Sequence, residues 1–266
     1  GQHGAAVAID PRNGEVLALV SLPGYDPNPF VNGIGRDAYT ALLRSESRPL
    51  FNRAVLGGYE PGSTIKPFVA LAGLELGLRR ADEVTWSTGA FRLPGQDREY
   101  RDWRKGGHGA VDLRESLAQS VNTYYYSLAV DLGIDRMSAY LAHYGFGAPT
   151  GIDLAGEAVG VLPTREWKRA ARNQPWYPGE TVIAGIGQGF WVATPLQLAH
   201  ATALLAAGGR GHRPHLLRAA QRGFDAAVTI EPEAARVGAP VKLAAHHAAG
   251  GDGMGAAMHG PTGTPP

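Results

Sequence analysis

The sequence predicts an α+β domain, and three features of the chain carry that prediction. Two β-type runs, residues 5–9 and 16–20, are joined by Asp10-Pro11-Arg12-Asn13-Gly14-Glu15, in which Asn-Gly is a hairpin signal. A series of helical-period runs follows, with their own start and stop residues. The chain has 266 residues with 44% hydrophobic side chains, enough for one large domain or two small ones with ample core.

After the hairpin, residues 23–35 are rich in Pro, Gly and Asn and read as a loop, and residues 37–43 have a short helical pattern. Pro61-Gly62 breaks the chain and Ser63 opens a helix. Phe68, Val69, Leu71, Ala72, Leu74 and Leu76 recur at helical spacing, and Gly77 stops the run. Residues 82–110 read as irregular, around the charged and aromatic stretch Asp97-Arg98-Glu99-Tyr100-Arg101-Asp102-Trp103. Asp112 can cap a helix through about Gln119. Ser120-Val121-Asn122 interrupts it, Thr123 restarts it as far as Gly133, and Asp135 caps a further helix that Gly145 ends. Residues 145–164 are Gly-rich and loop-like. Thr194 as cap and Pro195 in the first position start a buried helix to about Ala207, closed by Gly208-Gly209. Residues 228–230 read as a short strand and 241–247 as weakly helical, and the end from Ala248 is Gly- and Pro-rich. There is no internal repeat.

Composition narrows the function. A net charge of +1 argues against nucleic acid as the main partner, which calls for a clustered basic field. With no cysteine there is no disulfide framework, thiol nucleophile or thiolate metal site. No run of 18 apolar residues is present, so nothing in the chain reads as a membrane span. The N-terminus opens on a strand-like pattern without a signal peptide, and the chain reads as a domain cut from something longer.

The chemistry concentrates in Glu60-Pro61-Gly62-Ser63-Thr64-Ile65-Lys66-Pro67. Three residues apart on a helix, Ser63 and Lys66 share one face. A Ser hydroxyl needs an adjacent base to act as a nucleophile at neutral pH, and a desolvated Lys amine is such a base. Nine Ser and four Lys give roughly 0.1 such pairs by chance. The bland reading, a capping Ser followed by a surface Lys, has about equal weight on this motif alone. About 57 residues on, Ser120-Val121-Asn122 places a hydroxyl and an amide between two helices, where both can enter one cleft. By itself that is more simply a cap and a turn. In this order and spacing the two motifs match a known serine acyl-transfer constellation.

Together with Ala6-Val7-Ala8-Ile9-Asp10-Pro11, Tyr100-Arg101-Asp102-Trp103, Gly107-His108-Gly109, Gly151-Ile152-Asp153-Leu154, Pro163-Thr164-Arg165-Glu166-Trp167 and Gly185-Ile186-Gly187-Gln188-Gly189 with Ala193-Thr194-Pro195, these motifs resemble the transpeptidase domain of class B penicillin-binding proteins, on the branch that serves rod elongation. The resemblance covers nearly all of residues 1–266. It implies the fold shared by penicillin-binding proteins and serine β-lactamases, an antiparallel sheet flanked by helices. It implies a D,D-transpeptidase in which Ser63 is acylated by the D-Ala-D-Ala stem peptide, Lys66 is its base, and Ser120 and Asn122 form the second-motif pair. One oxyanion donor is then the backbone N–H of Ser63. The implied partners are peptidoglycan stem peptides, β-lactams and the membrane glycosyltransferase of the elongation complex. No cofactor or nucleic acid is implied. The location implied is the periplasm, on a protein anchored in the inner membrane. Two enzyme alternatives share the Ser-Lys chemistry, a serine β-lactamase and a D,D-carboxypeptidase, and a third reading is a non-catalytic β-lactam sensor.

One family feature is missing. The third motif, Lys-Thr/Ser-Gly on a wall strand, has as its nearest text Pro261-Thr262-Gly263-Thr264. Pro cannot donate to a central ladder, so this text reads as the stretch before the true motif, and the domain as incomplete at its C-terminus. On that reading the hairpin is the only sheet left, helix faces lie bare, and the 266 residues alone acylate poorly and aggregate. Four minor features have plain readings. Asp102 and His108 lie in one loop as possible metal ligands, but a salt-bridged Asp and a surface His fit better and no metal is implied. His246-His247 reads as solvated. Arg165, Lys168, Arg169 and Arg172 read as an exposed helix face, and residues 185–189 as a tight backbone approach beside the cleft.

Overall fold

The computed structural model describes residues 3–230, 236–239 and 241–260. The predicted hairpin opens it: β1 (Gly4–Ile9) pairs antiparallel with β2 (Val16–Leu22), with Ala6 opposite Val20 and Ala8 opposite Ala18. Gly14 turns the hairpin at φ +85°, and Asn13 Oδ1 accepts from Glu15 N–H. Alternate residues Ala5, Val7 and Ile9 pack with Val16 and Leu19 against Ala54, Val55, Ile152 and Leu196, as period-two strands bury one face.

The stretch read as a loop holds one short helix, α1 (Asn28–Val31), before α2 (Arg36–Arg44) and α3 (Arg53–Leu56). A single 3₁₀ turn, Gly62–Ile65, then leads into α4 (Lys66–Glu75). The helix read as opening at Ser63 therefore starts as a 3₁₀ turn. Residues i and i+3 eclipse in that geometry, so Ser63 and Lys66 still share a face. Residues 82–110, read as irregular, contain four three-residue strands: β3 (Thr85–Ser87), β4 (Ala90–Arg92), β5 (Glu99–Arg101) and β6 (Gly109–Val111). They pair antiparallel as β3 with β6 and β4 with β5. Strands this short show no alternation to read.

Next come α5 (Leu113–Ala118), capped by Asp112 as predicted, and α6 (Asn122–Ala142), bent where Gly133 takes φ +67°. Beyond the loop at 145–164 lie α7 (Arg165–Arg172), α8 (Pro178–Ala184) and α9 (Pro195–Ala206), the last with the predicted Thr194 cap. β7 (Arg210–His212), β8 (Ala219–Ala220), β9 (Thr229–Ile230), β10 (Arg236–Gly238) and α10 (Ala244–His259) complete the order, β7 pairing with β10 and β8 with β9. The α+β class holds, with antiparallel strands and flanking helices. Among the described residues the strands form five two-stranded ladders, so the hairpin is not the only paired segment.

The core centres on α4 and α6. From Phe68 to Leu74 every residue of α4 is buried, as expected for a helix apolar on all sides. Gly73 lets it close on α6, since a Cβ there would meet Leu128 at 2.9 Å. Phe68 packs edge-on against Tyr144 and Phe146, and Phe146 against Trp191, with centroids 5.0–5.4 Å apart. This packing fixes the helix that begins with Lys66.

Three surface readings change. Lys168 is buried: its ammonium pairs with Glu180 on α8 and lies 4.3 Å from the Tyr177 ring centroid. The Gly-rich end from Ala248 is helical in α10, and Gly253 allows close packing, since a Cβ there would meet Leu117 at 2.6 Å. His246 Nδ1 lies 2.6 Å from Glu75 Oε1 and His247 Nε2 lies 2.8 Å from Leu205 O, so neither ring is simply solvated. Among the described residues no helix is long and apolar enough to cross a membrane. Pro261-Thr262-Gly263-Thr264 lies outside the described residues.

Candidate active site

Two backbone attachments hold the turn that carries Ser63. Tyr59 exchanges paired hydrogen bonds with Ala193, at 3.0 and 2.9 Å. Three residues on, Gly62 N–H donates to Gly187 O at 2.9 Å, and Gly189 N–H donates to Glu60 Oε1 at 3.0 Å. Gly187 has φ +72°, and a Cβ there would lie 2.2 Å from Gly62 O. The glycine-rich segment at 185–189 is thus the close backbone approach that its sequence suggests, and it presses on the residue before Ser63.

Ser63 is exposed, and among the described residues its hydroxyl makes no hydrogen bond. Lys66 is 2% exposed. Its ammonium donates to Ser120 O at 2.8 Å, Ser120 Oγ at 3.0 Å and Asn122 Oδ1 at 2.7 Å. The Tyr125 ring centroid lies 5.3 Å away. The structure therefore brings Lys66, Ser120 and Asn122 together across more than fifty residues of sequence. Ser63 sits one 3₁₀ turn before Lys66, on the same face.

Ser120 takes φ +51°, a left-handed conformation that costs a non-glycine residue about 1–2 kcal/mol. That conformation turns both its carbonyl and its hydroxyl to the same amine. Asn122 starts α6, so its side chain is held at the end of a long buried helix. Burial lowers the Lys66 amine from its ordinary 10.5 to about 7, against an opposing pull from the charge of Asp102. Near neutral pH a large fraction of Lys66 is then a free amine, able to take a proton from a hydroxyl.

Asp102 and His108 come together within the loop between β5 and β6, but the His108 ring is not at the surface. Both side chains are fully buried, and His108 Nε2 lies 3.3 Å from Asp102 Oδ1. Thr123 N–H and Thr123 Oγ donate to Asp102 Oδ2 at 2.8 and 3.1 Å. Among the described residues no group of three or more His, Cys, Asp or Glu side chains could hold a metal ion. Sequence reasoning did not identify three contributors to this region. Asp102 reads from sequence as a salt-bridged carboxylate or a metal ligand and not as a helix cap, Tyr125 is one of three consecutive tyrosines without a distinguishing pattern, and Glu60 is the unassigned first letter of the motif.

Comparison with known proteins points the same way as the geometry. The family described as the penicillin binding protein transpeptidase domain matches residues 4–245. The peptidoglycan D,D-transpeptidase MrdA of Escherichia coli K12 is 45% identical over 238 residues, which is 90% of this chain and 38% of MrdA. The crystal structure of Pseudomonas aeruginosa PBP2 in complex with WCK 5153 superposes with a TM-score of 0.91 at 45% identity, covering 99% of this chain and 56% of that one. A structure on the coordination of polymerization and crosslinking by a peptidoglycan synthase complex contains a chain that matches at TM-score 0.81 and 36% identity, over 95% of this chain and 42% of that one. The chain thus spans well under two thirds of the proteins it matches.

Proposed function

The chain belongs to the penicillin-binding-protein transpeptidase family, and from that premise we propose that it carries the acylating site of a peptidoglycan D,D-transpeptidase, with Ser63 as nucleophile and Lys66 as base. The observation that carries this reading is the buried Lys66 amine, one turn from an exposed Ser63 and bonded to both polar residues of the second motif.

The reaction follows from those positions. The free amine of Lys66 takes the Ser63 proton as Oγ attacks the carbonyl of the penultimate D-Ala. The Ser63 N–H, at the start of the 3₁₀ turn, faces the charge that develops on the carbonyl oxygen. Ser120 Oγ, hydrogen-bonded to Lys66, passes the proton to the nitrogen of the departing D-Ala. Asn122 gives its amide oxygen to Lys66 and so has its NH₂ left to hold the stem-peptide backbone. An amine from a second stem peptide then attacks the Ser63 ester and restores the hydroxyl. A β-lactam, whose strained amide resembles D-Ala-D-Ala, acylates Ser63 in the same way.

The same reading places the domain on the periplasmic side of the inner membrane, beside the glycosyltransferase of the elongation complex. The likeness to a chain of a peptidoglycan synthase complex supports it. Incubation of the full-length protein with a pentapeptide donor and an amine acceptor tests the activity. Cross-linked product with release of one D-Ala per link is expected. Hydrolysed tetrapeptide as the dominant product would make the protein a carboxypeptidase, and rapid turnover of penicillin a β-lactamase.

A further inference from the structure

We propose that Asp102 is a positioning residue for acyl transfer: buried with His108 beneath the second motif, its carboxylate caps α6 from outside that helix, holds Asn122 against Lys66, and sets a negative charge where it acts on the Lys66 amine. This rests on the reading of Ser63 and Lys66 as the acylating pair.

The helix that carries Asn122 lacks a cap of its own. Its N-cap residue, Val121, offers no side-chain acceptor. Asp102, in the segment after β5, supplies one: Oδ2 accepts from Thr123 N–H at 2.8 Å and from the Thr123 hydroxyl at 3.1 Å. A carboxylate at this end of a helix also meets the positive end of the helix dipole. Thr123 is the residue after Asn122, so the bond that fixes its N–H fixes the backbone that aims the Asn122 amide.

The carboxylate is itself held from every side. Oδ1 accepts from Trp103 N–H at 2.8 Å and faces His108 Nε2 at 3.3 Å. His108 Nδ1 faces Gln119 Oε1 at 3.0 Å, while the Gln119 amide nitrogen donates to Glu115 Oε2 at 2.7 Å. That donation orients the Gln119 amide with its oxygen toward the His108 ring. Thr123 Oγ also shares a hydrogen with Ser87 Oγ at 2.7 Å, which ties the network to β3. With both side chains of the pair fully buried, little solvent screens the charge.

The groups facing Lys66 are few. From the second motif they are Ser120 and Asn122, from α6 the Tyr125 ring, and from the segment after β5 the charge of Asp102. Burial disfavours the ammonium and Asp102 favours it, so Asp102 raises the pH at which the buried amine becomes free. A cap alone would hold α6 without touching that balance.

The test compares Asp102→Asn and Asp102→Glu with the wild type. It measures the rate of acylation by a fluorescent penicillin from pH 5 to 9, together with titration of the lysine Cε resonances by ¹³C NMR. In Asp102→Asn the acid limb and the Lys66 titration move to lower pH by about half a unit or more, and the plateau rate falls. In Asp102→Glu the charge stays but the carboxylate is displaced by a methylene, so the midpoint holds and the plateau rate drops about tenfold or more. An unmoved midpoint in Asp102→Asn, or a wild-type plateau in Asp102→Glu, would overturn the proposal. If Asp102→Asn does not fold, Asp102→Glu decides alone. An intact wild-type protein, with the whole transpeptidase domain present, that never acylates would count instead against the roles of Ser63 and Lys66.

Discussion

Lys66→Arg is expected to reduce acylation by β-lactams about 10³-fold, the typical contribution of a well-placed general base. Arginine keeps the charge and much of the length of lysine, but it stays protonated throughout the working range and cannot accept the Ser63 proton. In the wild type the same argument fixes the pH dependence. Burial brings the amine from 10.5 down to about 7, so the acylation rate should rise tenfold per unit below pH 7 and level off above it. Stability should follow the same group. Below pH 7 both the folded and unfolded chains carry the proton, and the cost of burying the cation is fully present. As pH rises from about 7 towards 10.5 the unfolded chain holds the proton and the folded one releases it, so the Lys66 contribution to stability improves across that window. Rates measured with a penicillin reporter from pH 5 to 9 check the kinetic part. A flat profile, or an Arg variant within tenfold of wild type, would remove Lys66 as the base.

Gly187→Ala should cost at least about 100-fold in acylation although residue 187 is not part of either motif. The added Cβ would stand 2.2 Å from the carbonyl oxygen of Gly62, and neither backbone can yield without moving the turn that presents Ser63. The φ of +72° adds strain of about 1–2 kcal/mol for any residue with a Cβ. Gly133→Ala is the control. Gly133 has φ +67° but open space where its Cβ would go, so that variant carries the strain alone and should acylate normally while melting lower. Equal acylation rates in the two variants would show that the contact at Gly62 does not position Ser63.

How much of this could be read from the sequence depended on how far apart the partners lie in it. The Ser63–Lys66 relation is local: a spacing of three puts both on one face in an α-helix or a 3₁₀ turn, so it survived the change from one to the other. The helices capped by Asp112 and Thr194 were legible for the same reason, since each cap bonds three residues ahead. The buried network was not. Asp102 reaches Thr123 across 21 residues and Glu60 reaches Gly189 across 129. Nothing in either residue's neighbourhood announces a distant partner. Lys168 looked solvated because three arginines share its helix. Its partner Glu180 sits on α8, which shows no periodic pattern. The strands of residues 85–111 escaped because three residues are too few to display alternation.

The central claim is that Ser63 is the residue acylated. The most direct measurement is peptide mapping by mass spectrometry after reaction with a penicillin. A single adduct on the peptide that contains Ser63, absent from Ser63→Ala, is the expected result. An adduct on another residue, or one undiminished in Ser63→Ala, would contradict it.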